Sequence, residues 1–131
     1  MQRFIDTTTT HQFTSPLDKD EVKTIYNIAP LNSQEVQVVN DVTFSIGNSN
    51  GSGGSIQLKQ SLRNRLVVQL GLRGWENSDR KFETEHKSIL GLPKKDVITD
   101  DLLNAMPIDY VNSIGERIAE LSLSTGISSK N

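Results

Sequence analysis

The sequence predicts an α+β fold that is mainly helical, with three to four helices and one or two strands near the N-terminus. Two patterns favour helices: leucines recur every four residues in the middle of the chain, and one apolar stripe runs through its last third. Alternation of apolar and polar side chains over residues 22–30 is typical of a strand. A chain of 131 residues is long enough for one domain with a modest core.

The N-terminal segment, residues 1–21, is rich in threonine and charged side chains, so we expect a flexible or extended arm. Residues 22–131 are expected to form a single small domain. That domain begins with the strand over residues 22–30, which is β-branched and aromatic and which Pro30 ends. One face of this strand is expected to carry Val22, Thr24, Tyr26 and Ile28.

A helix start signal follows the strand. Asn32 belongs to the residue types that cap helices, and Glu35 stands three residues later, where it can bond back to the Asn32 amide. Leu31 and Val36 occupy the positions of a hydrophobic staple. We expect a short helix here, although its continuation over residues 42–46 alternates as a strand does.

The segment 47–55 (GNSNGSGGS) has no apolar side chain and predicts a flexible loop, either natural or introduced by cloning. Its glycines are also compatible with a nucleotide-binding loop. The Lys-Ser or Lys-Thr pair that such a loop needs is missing, however, so a plain connection is favoured.

The second helix is predicted over residues 56–73. Val67 and Val68 extend its apolar surface around most of the axis, which is typical of a helix in the centre of a domain. Two glycines then end it and place Trp75 just beyond, where a tryptophan is more often a plug at the edge of the core than a recognition residue. The leucines that recur every four residues are Leu58, Leu62, Leu66 and Leu70.

Residues 76–98 are dense in acidic and basic side chains and predict an exposed, charged connection. Thr99 is then expected to cap a short helix with Asp100 and Asp101 in its first turn, where carboxylates suit the helix dipole. Pro107 takes the favoured first position of a last helix, which Gly126 is expected to end. The apolar stripe of this helix comprises Ile108, Val111, Ile114, Ile118 and Leu121.

A search for catalytic or metal-binding residues finds no constellation. His11 and His86 lack a second ligand at metal-binding spacing, and the absence of cysteine excludes thiolate zinc sites and thiol nucleophiles. Adjacent residues on a helix diverge by about 100°, so Asp100 and Asp101 cannot converge on one substrate atom. The sequence therefore predicts no enzyme, no metal, no cofactor and no small-molecule substrate.

The charge balance disfavours nucleic acid and membranes as partners. The formal net charge is −2, and no apolar stretch is long enough to span a bilayer. One acid-free span carries several cations that could grip phosphate, but a solvated helix face or pairing with the acidic segment that follows is favoured. These cations are Lys59, Arg63, Arg65 and Arg73.

Four short motifs follow one another in a fixed order over roughly residues 22–131. In this order the chain resembles a family of small bacteriophage tail assembly chaperones, also described as minor tail proteins. Two departures are Asn32-Ser33, where threonine is usual, and residues 47–55, which look like a variable insert. The motifs are residues 29–35 (APLNSQE), 70–77 (LGLRGWEN), 105–108 (AMPI) and 120–124 (ELSLS) with the terminal Lys130-Asn131.

The resemblance implies a non-catalytic protein of phage tail morphogenesis. As an assembly chaperone it would bind hydrophobic helical segments of the tape measure protein in the host cytoplasm, in a groove beside the last helix. The alternative is a structural component of the virion, in the tail or head–tail region, whose N-terminal arm contacts neighbouring subunits; self-association is also compatible. The motif positions expected to contact a partner are Leu72, Trp75, Asn77, Ile114, Ile118 and Leu121.

Overall fold

The computed structural model describes residues 4–50 and 55–124, without the side chains of 44–50, 55–58 and 123–124. Its elements lie in the chain order β1 His11–Phe13, β2 Ile25–Ile28, α1 Ser33–Asn50, α2 Ser55–Gly71, β3 Leu72–Glu76, β4 Thr84–Lys87, β5 Lys95–Ile98, α3 Asp100–Ala105 and α4 Ile108–Ser124. The fold is α+β, with four helices and five strands, in two antiparallel sheets, among the described residues. The prediction of a mainly helical fold with one or two N-terminal strands is therefore wrong, because three further strands lie after α2.

The first sheet has the order β1-β2-β3, with both neighbouring pairs antiparallel. Tyr26 of β2 lies opposite Phe13 on one side and opposite Trp75 on the other. The strand β1 thus places part of the predicted N-terminal arm against the domain. The β2–β3 register shifts next to Asn27 and Ile28, which is the irregularity expected of a β-bulge.

The transition from α2 to β3 explains why the sequence pattern extended the helix too far. A Cβ on Gly71 would lie 2.7 Å from Ile118 Cγ2 and 2.9 Å from the Ala29 carbonyl oxygen. Only glycine therefore permits this close approach. The Gly71 carbonyl in turn accepts the Ala29 N–H at 2.9 Å, so the chain enters β3 directly, without a loop.

The second sheet consists of β4 and β5, paired antiparallel from Thr84–Ile98 to Lys87–Lys95. The turn between the strands uses left-handed backbone at Leu90 (φ 54°) and Gly91 (φ 81°). The sequence predicts an exposed charged connection over residues 76–98 and does not predict these two strands. Their sequences, TEHK and KDVI, are rich in residue types that are uncommon in sheets. Burial of Val97 and Ile98 in the core fixes β5 in place.

The predicted start of α1 is confirmed. The Asn32 side-chain oxygen accepts the Glu35 N–H at 2.8 Å, and Glu35 Oε1 accepts the Asn32 N–H at 2.9 Å. The helix then continues to Asn50, so the alternation over residues 42–46 does not produce a strand. Of the predicted loop, residues 47–50 belong to α1 and Ser55 begins α2, while 51–54 lie outside the described residues.

The helix α2 occupies the centre of the fold, as predicted, and packs against both α1 and α4. Val67, Val68 and Leu70 are almost fully buried. The contact with α4 is close at Gly115, where a Cβ would lie 2.8 Å from the Asn64 Cβ. The interface therefore depends on a residue without a side chain at that crossing.

The two last helices also begin where the sequence predicts. Thr99 caps α3, since its hydroxyl accepts the Leu102 N–H at 3.3 Å. Pro107 directly precedes α4, and its carbonyl accepts the Tyr110 N–H at 3.0 Å. The predicted end at Gly126 lies outside the described residues. Within the described ranges, no helix combines the length and apolar character needed to cross a membrane.

Candidate functional site

An open apolar surface lies where α3 and α4 meet, at residues 105–108 (AMPI), which we call the corner. Met106 ends α3 with its N–H bonded to the Leu103 carbonyl at 3.3 Å, and α4 begins two residues later. Ile108 is 55% exposed although it belongs to the apolar stripe of α4. Two clefts open at the corner, and Met106 lines both of them.

The first cleft, which we call the apolar groove, runs between α2, α3 and α4 and has a volume of about 340 Å³. Its polar wall is formed by Arg65 and Asn104, where Arg65 Nη2 donates to Asn104 Oδ1 at 2.5 Å. Three helices thus present apolar side chains on a single concave surface. The apolar lining consists of Leu62, Leu103, Met106, Ile108 and Val111.

The second cleft, which we call the aromatic cleft, has a volume of about 180 Å³ and lies between the first sheet and the corner. Trp75 is one of its lining side chains. The indole ring stands nearly perpendicular to Tyr26, with centroids 6.4 Å apart, and to Phe82, with centroids 5.0 Å apart. Its Nε1–H donates to the Arg80 carbonyl at 2.6 Å. Edge-to-face packing and this hydrogen bond together fix the orientation of the indole.

The turn beside the aromatic cleft depends on Asn77, which adopts left-handed backbone with φ of 62°. Asparagine tolerates this conformation better than most residues. The Asn77 carbonyl accepts the Thr24 hydroxyl at 2.9 Å, and its side-chain amide donates to the Lys23 carbonyl at 3.3 Å. Asn77 therefore ties the end of β3 to the segment that enters β2.

Two tyrosines face the same cleft, Tyr26 from β2 and Tyr110 from α4. Tyr26 is 6% exposed, and burial, followed by the neighbouring Tyr110, raises the pKa of Tyr26 to about 12. Its hydroxyl is therefore a protonated donor at neutral pH. Within the part of the chain that the structure describes, neither tyrosine hydroxyl makes a hydrogen bond.

The predicted partner positions do not share one surface. Leu72, Ile114 and Ile118 are buried in the core, and Leu121 is half-buried and packs against it. Core burial leaves Leu72, Ile114 and Ile118 almost no surface for a partner in this conformation, whereas Leu121 keeps part of its surface. The remaining two predicted positions are Trp75, which lines the aromatic cleft, and Asn77, which shapes the turn beside it.

Sequence reasoning missed the corner as a surface. Ile108 is counted with a core stripe by its spacing, yet it lies on the first turn of α4, where no other element covers it. The signal was present in the AMPI motif, because a proline at a helix start after an apolar residue predicts a sharp change of chain direction. Spacing alone cannot tell which end of an apolar stripe projects beyond the core.

The cations of the acid-free span do not form one basic patch. Arg65 lies in the apolar groove, whereas Arg63 lines a separate small cavity between α1, α2 and α4. Arg73 points to the N-terminal segment and donates to the Thr7 carbonyl at 3.4 Å. These three guanidinium groups therefore lie on three different surfaces. They do not form a continuous basic strip that could follow a phosphate backbone.

The histidines and carboxylates form no metal centre among the described residues, since no group of three or more potential ligands lies together there. His86 pairs with Asp96 across β4 and β5, with 2.9 Å between Nδ1 and Oδ1, and both side chains are exposed. Asp100 accepts Lys87 Nζ and Gln69 Nε2, each at 2.8 Å, and the bond to Lys87 is the main cause that lowers the pKa of Asp100. These contacts stabilise the start of α3.

Comparison with protein-family models, with curated proteins and with solved structures found no match to this chain.

Proposed function

We propose that this chain is a non-catalytic protein of phage tail morphogenesis and acts as an assembly chaperone for the tape measure protein. The observation that carries the proposal is the apolar groove beside α4, with Ile108 exposed at its edge. The partner is a hydrophobic helical segment, and the chaperone is expected to meet it in the host cytoplasm during assembly.

The shape and lining of the groove suit an amphipathic helix. Leu103 and Val111 are buried and form its floor, while Leu62 and Met106 are half-buried and, with Ile108, stand at its sides. A helix that lays apolar side chains between such walls is a common recognition mode. Full burial of one large aliphatic side chain is worth about 1.5–3 kcal/mol. Because the side chains at the sides of the groove are only partly buried, a bound side chain gains only part of this free energy. Such moderate affinity suits a complex that must later release its partner.

The test compares two exposed aliphatic residues, one in the groove and one outside it. Ile108→Asp places a charge in the groove, and Val22→Asp makes the same change at a side chain that is 68% exposed in the segment before β2. We expect Ile108→Asp to abolish binding of a peptide that spans a hydrophobic helical segment of the tape measure protein, measured by calorimetry. Val22→Asp should bind as the unaltered chain does.

Both variants should keep the melting temperature of the unaltered chain, because neither side chain belongs to the core. Equal binding by Ile108→Asp and Val22→Asp would contradict the proposal that the groove is the binding site. No binding by the unaltered chain would contradict the chaperone function itself.

A structural role in the virion is the alternative, and the N-terminal segment favours it. Phe4 is 87% exposed, and Ile5 lies in a shallow cleft with Val36 and Ser122. The exposed Phe4 side chain gives the N-terminal segment an apolar group that is available for a neighbouring subunit. Mass spectrometry of purified particles, with this chain quantified against the major tail protein, separates the two functions. Stoichiometric recovery supports the structural role, whereas recovery only from infected-cell lysate, bound to the tape measure protein, supports the chaperone.

A further inference from the structure

Two hydroxyl groups that line the aromatic cleft are hydrogen-bond donors without a partner in the described part of the chain. They belong to Tyr26 and Tyr110. Arg73 Nε is the one fully buried side-chain nitrogen or oxygen without a partner there, so the Tyr26 hydroxyl still reaches open space. By contrast, the Arg80 carbonyl already accepts the Trp75 indole N–H. A group that enters between the two tyrosines should bring hydrogen-bond acceptors for their hydroxyls. Donors belong on the flanking residues, near the Asp79 carboxylate at the edge of the cleft.

The walls and the size of the cleft define the rest of the ligand. Trp75, Met106 and Pro107 offer apolar surfaces, and the Trp75 ring is held in place by its edge-to-face contacts. An apolar cavity of about 150 Å³ accommodates a benzene molecule. The aromatic cleft, at about 180 Å³, therefore has room for one ring-sized apolar group.

We propose that the aromatic cleft binds a proline residue of an extended polyproline II segment in a partner protein. Proline combines an apolar ring with a carbonyl acceptor and is the one standard residue without a backbone N–H. Its ring fits between Trp75 and the corner, and the carbonyls beside it accept hydrogen bonds from Tyr26 and Tyr110. Proline-rich segments dock into aromatic grooves at low entropic cost, because the polyproline II helix is already formed in the free peptide.

The exposed rim agrees with a peptide that continues beyond the cleft in both directions. Ser78, Asp79 and Arg80 form this rim, and all three are exposed. The rim offers a carboxylate and a guanidinium to the residues that flank the bound proline. The proposal concerns a different cleft from the apolar groove and does not depend on the chaperone function.

Trp75 makes the proposal directly measurable, because it is the only tryptophan of the chain and lines the cleft. The probe is an acetylated and amidated hexaproline peptide, titrated into the full chain while Trp75 fluorescence is recorded. A glycine-serine peptide of equal length is the matched control ligand. We expect a saturable change of emission with hexaproline and none with the control peptide.

The matched variants are Tyr110→Phe and Tyr26→Phe, which remove one hydroxyl each and keep the ring. Each should weaken hexaproline binding by about three- to tenfold, the loss expected for one hydrogen bond. Val22→Asp, at an exposed side chain that lines neither cleft, should leave this affinity unchanged. A response without saturation, an equal response to the glycine-serine peptide, or unaltered affinity in both tyrosine variants would overturn the proposal.

Discussion

The starts of α1 and α4 differ in the groups that bond their backbone. Side chains make these hydrogen bonds at α1, whereas a backbone carbonyl makes them at α4. At α1, Glu35 is 4% exposed and accepts both the Asn32 N–H and Lys95 Nζ, the latter at 2.9 Å. At α4, the Pro107 carbonyl accepts backbone N–H groups, and side chains such as Ile108 face a cleft instead. Where side chains are engaged in hydrogen bonds, they hold the fold. Where they are not, as at the corner, they remain available to a partner.

The largest effect is expected from breaking the ion pair at the start of α1. Lys95→Met removes the cation from the buried Glu35 carboxylate and from the Leu70 carbonyl, which Lys95 Nζ reaches at 3.0 Å. Removing one partner of a buried pair costs about 3–5 kcal/mol. Lys95 is partly exposed, so we expect the free energy of unfolding, measured with urea, to fall by about 3 kcal/mol.

The double variant Lys95→Met with Glu35→Gln is the control for this first prediction. Glutamine keeps the acceptor for the Asn32 N–H and removes the unpaired charge, so the double variant should be more stable than Lys95→Met alone. If the two variants unfold at the same urea concentration, the buried carboxylate is not the cause of the loss.

The next largest effect concerns the close contacts of glycines in the first sheet and at the end of α2. Gly71→Ala should lose about 1–3 kcal/mol, because its Cβ would meet the Ala29 carbonyl oxygen, which belongs to the backbone and cannot rotate away. Gly74→Ala is the matched control, since its Cβ would lie 3.7 Å from Asn27 Nδ2, an ordinary contact. A smaller loss for Gly71→Ala than for Gly74→Ala would show that α2 and the Ala29 segment do not meet as described.

A smaller effect is expected for the pH dependence of stability at the start of α3. The bonds from Lys87 and Gln69 lower the pKa of Asp100 in the folded chain. A lowered folded pKa means that the stabilisation is complete above the unfolded value, about 3.9 for aspartate, and is lost as the pH falls through the folded value. Urea unfolding between neutral and acidic pH should therefore show a shallower decline for Asp100→Asn than for the unaltered chain.

Asp101→Asn is the control for this third prediction. The Asp101 carboxylate is exposed and makes no hydrogen bond or ion pair within the described ranges. The decline in Asp101→Asn should follow that of the unaltered chain. An equal change in both variants would assign the effect to the general charge of the first turn of α3 and not to the contacts of Asp100.

The elements that could be predicted from the sequence are those whose signals are local. Asn32 and Glu35 lie three residues apart, and Thr99 acts on an amide three residues later, so both helix starts are visible in a short window. The pair β4 and β5 is different, because charged residues form these strands and the pairing partner decides their structure. The strand preference of individual residues predicts little when cross-strand hydrogen bonds and a few buried side chains hold the strand in place.

The residues of the candidate site also differ in whether a local sequence signal predicts them. Trp75 and Asn77 were singled out because they belong to one short motif. Tyr26 and Tyr110 were not, because they come from β2 and α4 and only the packed fold brings them to one cleft. A pattern along the chain reports neighbours in sequence, whereas a binding site is built from neighbours in space.

The smallest effect on stability is expected at the corner. It directly tests the contrast between the start of α1, which holds the fold, and the start of α4. Ile108→Ser and Tyr110→Phe alter side chains that make no hydrogen bond in the described part of the chain and, at Ile108, lie largely in solvent. Surface changes of this kind usually shift stability by no more than about 0.5 kcal/mol. Thermal and urea unfolding should therefore place both variants beside the unaltered chain. A loss as large as that of Lys95→Met would mean that the corner, like the start of α1, holds the fold and is not free to bind.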